Sequence, residues 1–176
     1  YRIEGDFLVR DMVSPYDSNY VLHSRCGGGL EAPYIITLRY KGKPIFTTGN
    51  FTVKTATKEI RTSQTVCDIY LLRDRPLLFY TMGYGWGTIN RGGDHLNLYN
   101  YHERKSKELL NKAALLKYAN EQIKNIRDPI FAEMVEPFFV LDNKVYFILN
   151  VFTDKATDIK KPIDEKIYVH YDLKQG

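Results

Sequence analysis

The sequence predicts an α+β domain: a largely antiparallel β-sheet with one long amphipathic helix, over about residues 103–127, packed on it. Three observations carry that expectation. Short runs of β-branched and aromatic residues, punctuated by turn formers, lie on both sides of the middle of the chain. Between them, Leu109, Leu110, Ala113, Leu116, Ala119, Ile123 and Ile126 recur at helical spacing. Aromatic content reaches 14%, with 14 tyrosines, and tyrosine suits half-buried sheets because its ring packs while its hydroxyl reaches water.

The elements follow in order. Asp6–Arg10 opens the chain, and Ser14–Asn19 is a turn before a short strand at Tyr20–His23. The triglycine Gly27–Gly29 after Cys26 breaks regular structure. Tyr34–Tyr40, the turn Lys41–Lys43 and Pro44–Thr48 read as a hairpin. Thr65–Leu72 and Leu77–Met82 are strands joined by the turn Arg73–Pro76. Glycines between Gly83 and Gly93 predict a long irregular loop reaching His102, followed by the helix, with Asp128-Pro129 as its stop. Phe138–Leu141, the turn at Asp142–Lys144 and Val145–Phe152 form the clearest hairpin, and Lys166–Leu173 is a final strand.

At 176 residues the chain is long enough for one globular domain, 1–176, and no composition break divides it. Charged residues make up 26% and hydrophobic ones 44%, which excludes disorder. The net charge is +4. The densest basic stretch, Arg104, Lys105, Lys107, Lys112, Lys117, Lys124 and Arg127, is broken by Glu103, Glu108 and Glu121. It reads as the solvated face of the helix, so no nucleic-acid partner is expected. No apolar run reaches the length of a membrane span.

Cys26 and Cys67 point to a disulfide and, with a chain that begins at Tyr1, to a processed protein of the periplasm or the cell exterior. Such a bridge would contribute roughly 3–4 kcal/mol in the chain-entropy model. Asn50-Phe51-Thr52 fits the glycosylation acceptor pattern.

The glycine-rich loop is the candidate site. It holds the only Trp, and Tyr84, Trp86, Arg91, Asp94 and His95 are its expected binding residues. Gly83-x-Gly85-x-Gly87 lacks the dinucleotide spacing, and no phosphate loop or GxSxG elbow occurs. Asp94, His95, His102 and Glu103 could serve as metal ligands and base, but they match no compact zinc motif. His23 near Cys26 does not by itself make a thiol nucleophile.

No catalytic residue, metal or cofactor is assigned. The leading expectation is a non-catalytic exported domain that binds another protein, of the inhibitor or immunity type that blocks a toxin or enzyme. A metal-assisted hydrolase built on Asp94, His95, His102 and Glu103 is one alternative. A structural or accessory domain of a surface or secretion assembly is the other.

Overall fold

The structure is a computed structural model that describes residues 2–4, 7–27, 34–49, 64–84, 93–122, 129–153 and 167–173. They form three antiparallel sheets, each a meander of consecutive strands. The first sheet joins β1 (Arg2–Glu4), β2 (Phe7–Val13), β3 (Tyr20–Gly27), β4 (Tyr34–Tyr40) and β5 (Lys43–Thr48). The second joins β6 (Gln64–Leu71), β7 (Leu77–Tyr84), β8 (His95–Asn100) and β9 (Lys105–Leu110). A helix, α1 (Lys112–Gln122), leads to the third sheet of β10 (Pro129–Leu141), β11 (Lys144–Thr153) and β12 (Ile167–Asp172).

The second sheet is the middle layer. From β7, Leu78, Tyr80 and Met82 join Tyr99 and Tyr101 against Tyr20, Leu22, Ile36 and Leu38 of the first sheet. The opposite face of the same strands presents Phe79 and Leu96 to Met134, Val145, Phe147, Leu149 and Val169 of the third sheet. A strand covered on both faces needs apolar residues at both parities, which is why residues 77–84 read as a continuous apolar run rather than an alternation. β6 keeps its packing through a bulge. Register slips between Val66 and Ile69, so both residues and Leu71 face the first sheet despite their odd spacing. Asp68 fixes the bulge: its N–H donates to Thr81 Oγ1 at 3.0 Å, and Thr81 Oγ1 donates to Asp68 Oδ2 at 3.2 Å.

The expected turns are present where the chemistry is strongest. Lys41 and Gly42 both take positive φ between β4 and β5, and Asp142 and Asn143 do so between β10 and β11. This is the backbone that lets a two-residue turn follow the twist of its strands.

The long helix expected over 103–127 is corrected. Residues Lys105–Leu110 are a strand, and α1 covers only Lys112–Gln122. Of the predicted apolar stripe, Leu109 and Leu110 belong to β9, and Ala119 is buried in the core shared with the third sheet, beside Leu115, which the stripe did not include. The fold is therefore not the expected α+β domain with a long helix packed on one sheet but mostly antiparallel β in three sheets, with one short helix among the described residues. Two local devices explain the boundary. Asn100 Oδ1 accepts from the N–H groups of His102 and Glu103 at 3.1 Å, and Arg104 sits at a φ of 56°. That turn folds the chain back onto β8, where strand pairing overrides the helix propensity of Lys, Glu and Leu. Asn111 then caps the helix, its Oδ1 accepting from Ala114 N–H at 3.0 Å. The basic residues consequently divide among a turn (Arg104), an edge strand (Lys105, Lys107) and a helix (Lys112, Lys117) instead of sharing one helical face.

The irregular loop expected up to His102 is also shortened, because His95–Asn100 pairs with both β7 and β9 as β8. No helix among the described residues is long and apolar enough to cross a membrane.

Two predictions follow from the packing. A Cβ at Gly93 would lie 2.5 Å from Thr81 Cβ, and Gly93 is held in place by two backbone bonds with Met134, at 2.7 and 3.0 Å. Gly93→Ala should therefore destabilise the protein by about 1–3 kcal/mol, read from the denaturant midpoint. Burial raises the hydroxyl pKa values of Tyr20, Tyr99 and Tyr101 above the ordinary 10.0. The unfolded chain releases these protons first, so their contribution is complete below 10.0 and is lost as pH rises through the folded values. Thermal midpoints should fall steeply in that alkaline range, and less steeply in Tyr99→Phe.

Candidate functional site

The described part of the glycine-rich segment folds around the entry to β8. Gly93 bridges to Met134, and Asp94 N–H donates to the carbonyl of Met82 at 2.9 Å. These backbone contacts hold Asp94 in the interior, at 2% exposure. His95 follows in the strand, opposite Met82. Its Nδ1 donates to Asp94 Oδ1 at 2.6 Å, and its Nε2 lies 3.8 Å from Glu108 Oε1 on β9. Adjacent residues within a strand point to opposite faces, but Asp94 precedes the strand proper, so its carboxylate turns back onto the ring.

A buried carboxylate fixing one imidazole nitrogen is an orienting device, and imidazole is the side chain best suited to proton exchange near neutral pH. The nearest buried hydroxyl on the neighbouring strand, Thr81, is fully buried and committed to Asp68.

The four residues of the hydrolase reading do not converge. Asp94 and His95 stand at the start of β8, while His102 and Glu103 lie in the turn beyond its far end, roughly 15–20 Å away at the usual strand rise. His102 is exposed and lies among tyrosines instead, with ring centroids 5.5 Å from Tyr16 and 6.0 Å from Tyr20. Among the described residues no group of three or more His, Cys, Asp or Glu side chains is placed to hold a metal ion.

The other expected binding residues divide in the same way. Tyr84 closes β7, and Trp86 and Arg91 lie outside the described residues. Asn50, Phe51 and Thr52 lie outside them as well. Cys26 is on β3 with its side chain outside the described set, and Cys67 is half-buried in the bulge of β6. Among the described residues no disulfide is present. His23 is paired with Asp11 Oδ1 at 2.7 Å.

A second surface was not singled out by motif reasoning. The inner positions of the third sheet, Val145, Phe147, Leu149 and Val169, are core. The outer positions are also rich in rings. Register places Phe139, Tyr146 and His170 in one cross-strand row. Phe139 and Tyr146 stack at 5.0 Å and 11°, and Tyr146 meets His170 at 5.9 Å. Beside the row stand Tyr168, 77% exposed, and Leu141, 55% exposed. The sequence signal was available: Val145–Leu149 and Ile167–Tyr171 are apolar or aromatic at both parities, as expected only of strands with two faces to cover.

No known family model, curated protein or solved structure matches this chain.

The Asp94–His95 pair makes a direct prediction. Asp94→Ala should cost about 1–3 kcal/mol, because it strips a buried partner from the ring. Glu108→Gln, at a half-exposed site 3.8 Å away, should cost less than about 1 kcal/mol. Equal costs in denaturant titration would contradict the assignment of Asp94 as the orienting group.

Proposed function

We propose that the protein is a non-catalytic domain that binds another protein through the outer face of its third sheet. The observation that carries this reading is the ring row Phe139–Tyr146–His170, exposed at Phe139 and His170 and half-buried at Tyr146, with exposed Tyr168 and Leu141 beside it. Tyrosine-rich apolar surface with a polar margin is the composition of protein interfaces. The margin here is the adjoining row, Leu141–Lys144–Asp172, in which one basic and one acidic residue balance. That balance favours a protein partner over a polyanion, which would call for a basic stripe.

Asp94 is buried, and among the described residues its carboxylate holds the His95 ring, an arrangement that fits a fixed contact residue. An inhibitor or immunity-type role, blocking a toxin or enzyme from the periplasm or the cell exterior, fits a rigid β-rich domain of this kind. The exported setting rests on the two cysteines and is tested by thiol labelling of protein from its native compartment.

The binding reading predicts that Phe139→Ala and Leu141→Ser weaken the complex at least about tenfold, with circular dichroism unchanged. The measurement is a titration of purified partner, obtained by affinity capture from the native source. Unchanged affinity in both variants would contradict the reading.

A further inference from the structure

Among the described residues the three sheets present six edge strands, and five carry devices that discourage pairing with another chain. β1 is three residues long and contains Arg2 and Glu4. β5 begins Lys43-Pro44, and register slips opposite that proline. β6 is bulged. β9 exposes Lys105, Lys107 and Glu108. β10 contains Pro129 and Pro137 and two register shifts.

β12 has no bulge and no proline, and its one charged residue, Asp172, stands at its end. Its register with β11 runs without interruption from Lys144↔Asp172 to Leu149↔Ile167. It contains no Lys, Pro or Gly, and its outward residue Tyr168 is 77% exposed. Among the described residues no strand pairs with its other side.

The strand is also complementary to itself. A two-fold axis perpendicular to the sheet keeps outer faces together, so only registers pairing residues of equal parity are allowed. Centring the axis on Val169 places Val169 against Val169, Ile167 against Tyr171, and Tyr168 against His170 of the second copy. Val169 and Tyr171 stand across β12 from Phe147 and Val145, so the Val169 pair at the axis continues their buried face. Every outer pair joins a tyrosine to a histidine and carries the ring row Phe139–Tyr146–His170 across the junction. No like charges meet.

We infer that β12 joins two copies of this chain edge to edge, antiparallel, in the register centred on Val169. The pairing converts two three-stranded sheets into one continuous six-stranded sheet, an isologous interface of the commonest symmetry. It does not depend on the partner-binding reading, since Phe139 and Leu141, used to test that reading, lie on β10 away from this edge.

Sedimentation velocity tests it. Wild-type protein should sediment as a two-chain species and dissociate on dilution. The double variant Tyr168→Lys with His170→Lys sets lysines opposite one another across the junction and should be a monomer. Tyr168→Glu with His170→Glu should be a monomer for the same reason. An equimolar mixture of the two should recover the two-chain species, because only this register opposes each lysine to a glutamate. Hydrogen exchange on the wild type gives an independent reading should either variant fold poorly. Amides of β12 should slow at least about tenfold on concentration while those of β7 do not change. A wild type that stays monomeric, a double-lysine variant that stays paired, or folded variants that do not recombine would overturn the inference, as would concentration-independent exchange in β12.

Discussion

The structure depends on the burial of one sheet from both sides. β7 has no exposed face: Leu78, Tyr80 and Met82 serve the first sheet and Phe79 serves the third. Hydrophobic burial is proportional to the apolar area removed from water, so a strand that contributes to two cores ties three layers together. Among the described residues neither core cluster joins the two outer sheets without this middle layer. Its demands explain several oddities elsewhere. The bulge at Cys67–Asp68 restores the parity of β6, and Gly93 leaves room for Thr81, which in turn holds the bulge.

Tyrosine is the residue that makes the first interface work. Tyr20 and Tyr101 lie 4.6 Å apart between ring centroids, and Tyr99 stacks on Phe46 at 3.9 Å. The hydroxyl of Tyr101 bonds Ser14 Oγ at 2.9 Å, so its one polar group is satisfied within the interface. Among the described tyrosines, Tyr20, Tyr80, Tyr99 and Tyr101 are buried in this layer, Tyr70 and Tyr118 pack against the other core, and Tyr146 and Tyr168 lie in or beside the ring row of the third sheet.

Much of this was legible in the sequence, and the failures have physical causes. Both two-residue hairpins were readable because Lys41-Gly42 and Asp142-Asn143 supply the left-handed backbone such turns require. The helix was overextended because Leu109 and Leu110 satisfy helical spacing and strand packing equally well. Only the Asn100 turn and the Asn111 cap decide between them. In the candidate site the Asp94–His95 bond was not legible, since it depends on Asp94 lying just before the strand, and His102 and Glu103 were grouped with them because β8, with two Asn among its six residues, is a weak strand signal. The ring row was missed because it is not a motif. It exists only through the register that sets Phe139, Tyr146 and His170 side by side.

The account therefore rests on a contrast between rings that are hidden and rings that are presented. Hydroxyl-radical footprinting of dilute protein tests that contrast most directly. Phe79, Tyr80, Tyr99 and Tyr101 should resist modification, while Tyr168 and then Phe139 react first, following their exposures of 77% and 37%. Modification of Phe79 or Tyr80 at the rate of Tyr168 would show that the middle sheet is not covered on both faces. Protection of Tyr168 equal to that of Tyr80 would show that the third sheet presents no ring surface to a partner.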